Sequence, residues 1–337
     1  MKNTIYLITN YENLIPQKLH ETVGLDLDII KKKFENSLFF ETVISIEIDS
    51  LANSLISREI DVKGKYFFFC SSQIESYKLA IFDIASEVSR LGGILVPGLP
   101  FYQAHENKFY QELYKSERSI PTPKSKVVTS SSSNFKVKLP TVVKPSFGFG
   151  SKGVKLVDSN EELNKSTLAA MKSYLFESLS VPDIARSFIK AKFKYKNRYP
   201  RKFGRVVYQD FIPDLKFDWK VLVFGDKVYV LKRFTRVGDF RASGSGNFDY
   251  FSHVSDDLIK FSHEVRVMLH TPFVSLDIAE SKEGYSIIEY QSVHFGLATV
   301  INAKYEFIYN EEKIERVEVD NINVDSLFAE SILKFVV

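Results

Sequence analysis

One stretch limits what this chain can fold into more than any other. "VVKPSFGFGSKGV", Val142 to Val154, opens as an apolar strand holding one lysine, Lys144, then runs into glycines spaced around a serine and a second lysine. Gly148, Gly150 and Gly153 match the G-x-G-x-x-G spacing of a dinucleotide-binding loop. Such a loop must lead into a helix, because the pyrophosphate sits on the helix N-terminus. Here "VKLVDS" follows and continues as strand, so the context fails. The spacing G-x-x-x-x-G-K-[ST] of a phosphate loop is absent, and so are the H-R-D and D-F-G signatures of a protein kinase. A glycine-rich hairpin folded over phosphates remains, offering backbone N–H groups while lysines supply charge. A tight β-turn with solvated lysines fits the same residues.

At 337 residues the chain is long enough for two or three sub-domains. Hydrophobic residues make up 45%, as in ordinary globular proteins, and a net charge of +3 is too small to mark the whole chain as nucleic-acid-binding. The lone Cys70 lies in the apolar run "KYFFFCSS", which reads as a packed, inert thiol. No run approaches the ~20 apolar residues that span a bilayer. "MKNTIYLITNYEN" lacks a signal-peptide pattern, so a cytoplasmic, reducing setting is expected.

The first hundred residues alternate between two periods. "TIYLITN", "ETVISIEID" (41–49), "KYFFFCSS" and "GGILVPG" read as strands, and "LDLDIIKKKFEN" and "IESYKLAIFDIASEVSRLG" as helices. That alternation predicts a small parallel sheet covered by helices. A further helix is expected over 101–117, with Pro121 and Pro123 marking a linker after it. Then come "LPTVVKP", "GVKLVDS", a helix from about Glu161 to Ser178, and "RVVYQDFIP". Two hairpins follow, one with Gly225-Asp226 at its tip and one in "FVSLDIAESKEGYSIIEYQ".

In that second hairpin Glu289 and Gln291 are two apart and share a face. If Asp277 lies opposite Glu289, three oxygen-bearing side chains converge, a set suited to Mg²⁺. A half-exposed sheet with a polar face is the plainer alternative.

Taken in order, these segments resemble the ATP-grasp superfamily, near its ribosomal-protein glutamate ligases, glutathione synthetases and D-alanine–D-alanine ligases. "ENKFYQELYKSERSIPTP" is similar to the family's helix and Pro-containing entry, "VVKPSFGFGSKGV" to its lysine strand and glycine flap, "VVYQDFIP" to its hinge strand, and "LDIAE…IIEYQ" to its metal hairpin. The resemblance implies an α/β fold of three lobes: an N-terminal α/β domain over 1–100, a central lobe with the flap over 101–208, and a C-terminal lobe with the metal hairpin over 209–337. The last two would grip the nucleotide. It implies that Lys108 and Lys144 contact ATP phosphates, with Gly148, Gly150, Ser151 and Gly153 as the flap. Gln209, Asp210 and Ile212 would line the adenine pocket, Asp218 would reach the ribose, and Asp277, Glu289 and Gln291 would hold Mg²⁺. The family usually has Asn where this chain has Gln291, which changes the reach of the amide.

The implied reaction is ATP-dependent ligation of a carboxylate to an amine through an acylphosphate, on small-molecule or glycan substrates such as an acidic sugar or a peptide. Besides Lys144, Arg233 and Arg241 are the candidate catalytic residues, with Arg236, Ser243 and Gly244 beside the substrate, because guanidinium groups bind carboxylate and phosphate at two points. A small-molecule kinase needs the same lysines and metals, and a non-catalytic ATP- or polyanion-binding protein is a third reading. The stretch 190–205, with Lys192, Lys194 and Lys196 alternating with Phe193 and Tyr195, fits either a solvated edge or a polyanion-docking surface. His294, just past the hairpin, reads as a structural histidine.

Overall fold

Residues 3–10, 12–17, 24–130, 136–148, 150–178, 203–236, 238–250, 253–310 and 313–337 are described by the computed structural model. The expected alternation opens the chain: β1 (Asn3–Thr9), β2 (Ile15–Pro16), β3 (Gly24–Leu25), α1 (Leu27–Glu35), β4 (Phe40–Glu47), α2 (Ile48–Ser57), β5 (Tyr66–Phe68), α3 (Glu75–Arg90) and β6 (Ile94–Leu95). Strands β4-β1-β5-β6 form a parallel sheet. Ile5, Tyr6, Leu7 and Ile8 are all buried, so both faces of β1 are covered, which is why it reads as an unbroken apolar run. Helix α2 begins directly where β4 ends and takes residues that the pattern had assigned to the strand.

The single helix expected over 101–117 is two, α4 (Leu99–Ala104) and α5 (Lys108–Glu117). Glu106 stands at φ 49°, a left-handed conformation that no helix continues through. Asn107 then caps α5, its side-chain oxygen accepting the Tyr110 N–H at 3.2 Å. The break therefore puts Lys108 at the first position of a new helix.

A second sheet, ordered β7-β10-β8-β9, is antiparallel and joins β7 (Ser125–Ser130), β8 (Thr141–Pro145), β9 (Lys155–Val157) and β10 (Phe203–Asp210), with α6 (Asn160–Ser178) against it. The third contains β11 (Phe217–Phe224), β12 (Lys227–Phe234), β13 (Phe248–Asp249), β14 (Phe273–Ser281), β15 (Gly284–Gln291), β16 (Tyr305–Asn310) and β17 (Lys313–Glu318). Its order is β15-β14-β11-β12-β16-β17, with β13 on β12. Helices α7 (Asp256–Leu269), α8 (Ala298–Ile301) and α9 (Val324–Val336) complete this part. Among the described residues no helix is long and apolar enough to cross a membrane.

The cores tie these sheets together unequally. Val221, Val223, Leu276 and Ile278 of the third sheet pack in one cluster with Tyr6, Ile8 and Phe67 of the first. The opposite faces do likewise, Leu222, Phe224 and Phe273 with Ile5, Leu7 and Phe68. Val128, Val143, Val157 and Val206 of the second sheet instead form their own core with Leu163 and Met171 of α6.

Strand β15 ends the third sheet, and its outer edge is held by α5. Gln111 Nε2 donates to the Tyr290 carbonyl at 2.9 Å, and the Tyr290 N–H returns to Gln111 Oε1 at 3.4 Å. Lys115 Nζ, fully buried, donates to the carbonyls of Ile287 (3.2 Å) and Ile288 (3.5 Å) and pairs with Glu112 at 2.9 Å. These bonds bracket a bulge: Asp277 pairs with Glu289 and Ile278 with Ile287, leaving Ile288 as the extra residue. Replacing Lys115 by Met leaves Glu112 buried without its cation, and we expect this to cost ~3–5 kcal/mol in urea unfolding. The double variant Glu112→Gln/Lys115→Met should recover part of that loss.

Candidate active site

A cavity of about 320 Å³ opens between the second and third sheets. That volume is at the low end of the roughly 300–1,000 Å³ of small-molecule sites. Each wall brings a different chemistry, and register explains most of it.

The second sheet supplies Lys144. Its strand pairs with β10 so that Val142 lies opposite Gln209, and Lys144 Nζ donates to Gln209 Oε1 at 2.5 Å. Burial pushes the Lys144 ammonium down to about 8 from the ordinary 10.5, against the upward pull of the Glu112 carboxylate. Gln209 Nε2 also reaches Glu112 Oε1 at 3.5 Å, so the buried pair on α5 supports the site from behind. Val142, Phe211, Ile212, Leu215 and Ile288 give the cavity an apolar slot, and Asp210 lines it as well.

Lys108 enters from the start of α5. Its Nζ donates to the Gly148 carbonyl at 2.6 Å and lies 3.5 Å from Glu289 Oε1. It thus connects the flap to the acidic hairpin. Gly150 and Ser151 line the cavity, whereas Gly148 and Gly153 do not. Gly148 (φ 111°) and Gly150 (φ 63°) hold backbone conformations that side chains resist. At Gly153 a Cβ would also meet Pro145 Cγ at 2.9 Å. Arg241 clasps Asp239 and reaches the carbonyls of Ser151 (3.5 Å) and Val154 (3.4 Å), tying the loop after β12 to the flap. Ser243 lines the cavity beside it. Arg236 instead donates to the Gly244 carbonyl, and neither residue lines the cavity.

Asp277 and Glu289 face each other across β14 and β15. Asp277 is engaged by two cations, Lys220 at 2.7 Å and Arg233 at 3.0 Å. Burial works to raise its carboxyl, but Arg233 and Lys220 override this and hold it well below the usual range.

Three residues have partners within the protein that the resemblance did not imply. Asp218, on the cavity wall, is opposite Arg233 in the β11–β12 register and grips it at two points, 2.7 and 2.9 Å. Arg233 lines the cavity, yet its guanidinium is shared between Asp218 and Asp277. Gln291 Oε1 takes the Glu106 N–H at 3.3 Å and lies 3.0 Å from His105 Nδ1, while Nε2 donates to Glu289 at 3.2 Å. Its amide oxygen is turned away from the carboxylates. The helix break at Glu106 causes this, because it brings a free backbone N–H to the end of β15.

Among the described residues no three His, Cys, Asp or Glu side chains form a ready metal cluster. The facing pair Asp277 and Glu289 fits the one or two carboxylates that Mg²⁺ uses when phosphates complete its shell. His294, Gln73, Glu106, Lys220 and Ser275 also line the cavity. Lys220 was legible, since it follows Asp218 by two in a strand; Gln73 and Glu106 carry no local signal. The basic stretch 190–205 lies outside the described residues as far as 202; at its end, Arg205 stacks on Phe147, 4.1 Å from the ring centroid.

No family model matches the sequence, and no curated protein does. Solved structures do. The RimK domain protein ATP-grasp from Sphaerobacter thermophilus DSM 20745 matches with a TM-score of 0.50 at 13% identity, over 98% of this chain and 99% of that one. The D-cycloserine synthetase DcsG matches with a TM-score of 0.53 at 11% identity, over 98% of both chains. Matched over 98% of its length by such structures, the chain has the ATP-grasp fold.

Proposed function

We propose that this protein is an ATP- and Mg²⁺-dependent ligase that joins a carboxylate to an amine. One observation carries the reading: Lys108 and Lys144 share a single cavity with Asp277 and Glu289, and Lys108 lies 3.5 Å from Glu289. Cations for phosphates facing carboxylates for a metal suit a metal-bound polyphosphate lying between them, as in a nucleoside triphosphate. The fold and its neighbours, one of which is titled a synthetase, point the same way.

In this reading the adenine occupies the slot of Val142, Phe211, Ile212 and Leu215, with Gln209 and Asp210 at its edge. Lys144 and Lys108 meet the phosphates, and the flap from Gly148 to Gly153 covers them. Asp277 and Glu289 would hold Mg²⁺, which when bound neutralises charge on the phosphates. An oxygen of the substrate carboxylate attacks the γ-phosphorus and ADP departs; the amine then adds to the acyl carbon of the acylphosphate and inorganic phosphate leaves. Arg241, on the cavity wall and fixed to the flap, is placed to counter charge on the transferred group. Arg233 acts at one remove, orienting Asp277. Residues 1–100, 101–208 and 209–337 serve as the N-terminal, central and C-terminal lobes.

The assay is ADP release with a panel of carboxylates and amines. We expect one pair to stimulate release, with Glu289→Gln and Lys144→Met each lowering the rate by about 100-fold or more. No stimulation by any pair would count against the reading, and a phosphorylated product persisting without amine would identify a kinase instead.

Lys144 also gives a pH dependence. Its ammonium is the form that attracts phosphate, and in the unliganded protein it loses its proton near pH 8. ADP affinity should therefore hold below pH 8 and fall above it, by up to about tenfold per pH unit. The stability linkage has the opposite sign, because a lysine whose folded pKa lies below 10.5 makes the unliganded fold more stable as pH rises from 8 to 10.5. Calorimetric titration of ADP from pH 7 to 9.5 checks the first effect, and the Lys144→Met variant should lack it.

A further inference from the structure

Lys144 and Glu112 are joined by one side-chain amide. Lys144 Nζ donates to Gln209 Oε1 at 2.5 Å, and Gln209 Nε2 reaches Glu112 Oε1 at 3.5 Å. The ion pair of Glu112 is with Lys115, on its own helix. Register puts these parts in place. Ser125 lies opposite Gln209, and Val207, two residues earlier on β10, lies opposite Lys144. Ser125, Gln209 and Lys144 therefore share one face of the second sheet. Helix α5 meets that face at Glu112: Ser125 Oγ donates to Oε2 at 2.7 Å and Lys115 Nζ to Oε1 at 2.9 Å. Glu112 is buried and fixed at both oxygens.

A fixed carboxylate decides how the amide lies. Gln209 has an acceptor end and a donor end, and Glu112 can take only the donor end. The oxygen is thereby turned toward Lys144. Reversed, the amide would set its oxygen against a carboxylate and its N–H groups against an ammonium.

The spacer matters as well. A carboxylate bonded directly to Lys144 would compete with a phosphate for the ammonium, and a neutral amide competes far less. An ammonium has three donors; Gln209 takes one, and Lys144 lines the cavity. The negative charge still acts across the amide, because screening is weak between buried groups. Burial works against the ammonium; Glu112 and Glu289 favour it, Lys115 and Lys108 oppose it, and Glu112 is the strongest of these charges. β10 adds Asp210 to the same cavity wall.

Resting on the nucleotide part of the ligase reading, we propose that Glu112 is a positioning residue for nucleotide binding: through the Gln209 amide it aims the Lys144 ammonium at the phosphates, and at one remove it supplies the negative charge that keeps Lys144 an ammonium. The carboxylate that prepares the phosphate-binding lysine of the second sheet thus comes from the helix that holds the acidic hairpin.

ADP titration of the full chain by calorimetry, from pH 6.5 to 9.5, tests this. Wild type should lose affinity above about pH 8. No binding at any pH overturns the nucleotide reading and this inference with it, whereas binding that is constant across the range overturns this inference alone. In Glu112→Gln the fall should begin roughly one pH unit lower. An unchanged midpoint, with affinity equal to wild type or lowered evenly at every pH, makes Glu112 merely structural and overturns the proposal. Glu112→Gln/Lys115→Met removes both buried charges together, so it is the variant to use where the single one does not fold. Its midpoint should lie between those of Glu112→Gln and wild type, and a midpoint equal to wild type counts against the proposal in the same way. Gln209→Met breaks the relay and keeps Glu112. Its affinity for tripolyphosphate, a probe with no base to bind, should fall several-fold at pH 7; an affinity equal to wild type overturns the relay while leaving the nucleotide site intact.

Discussion

A ten-residue helix holding the bare edge of a strand is the contact on which the rest of this site depends. β15 ends its sheet, and an unpaired edge must find partners for its backbone. Gln111 takes both polar groups of Tyr290, Lys115 takes the carbonyls of Ile287 and Ile288, and the Ile287 N–H goes to the Pro121 carbonyl at 2.8 Å. The residue between, Glu289, is thereby aimed across at Asp277 by the bulge at Ile288. The same helix carries Lys108 on its first turn. One rigid helix thus sets the separation between the cation it carries and an anion on the third sheet.

That arrangement extends into an alternating chain of charge. Asp218 holds Arg233, Arg233 and Lys220 hold Asp277, and Lys108 holds Glu289. Buried pairs of this kind add little net stability, because the desolvation of both partners offsets their attraction. What they do is fix the orientation of these side chains while keeping the charges paired. A ligand carrying both signs can exchange partner for partner with these groups, its anionic part meeting Lys108 and its cationic part meeting the carboxylates. The wall therefore suits a metal-bound phosphate better than either ion alone.

Much of this was legible because period-two and period-three-to-four patterns report burial, and burial is what built β1, α3, β8 and both hairpins. That Asp277 and Glu289 share a hairpin follows from the pattern, but their facing each other needs the bulge, without which Ile288 would stand opposite Asp277. What lay outside local pattern was decided by contacts between distant segments. The bulge at Ile288 exists because Lys115, far earlier in the chain, bonds its carbonyl. The helix break at Glu106 gives Gln291 a backbone partner that no local pattern announced. Asp218 and Arg233 were both visible as charged residues in strands. Only the β11–β12 register shows that each is the other's partner.

The distribution of cores explains why the cavity forms where it does. The first and third sheets share apolar clusters on two faces, so they cannot separate without exposing Tyr6, Phe67, Leu222 and Phe273 together. The second sheet closes its own core against α6 and needs no apolar help from the others. Between these two bodies the contacts at the cavity include polar ones, Lys108 to Gly148, Arg241 to Ser151 and Gln209 to Glu112, beside the edge-on pair Phe211 and Phe240. Polar contacts exchange with a polar ligand at low cost, whereas a shared apolar core would have sealed the seam. A site for a charged, elongated ligand belongs at such a seam, with Lys144 and the glycine loop from the second sheet facing Lys108, Asp277 and Glu289 from the other body.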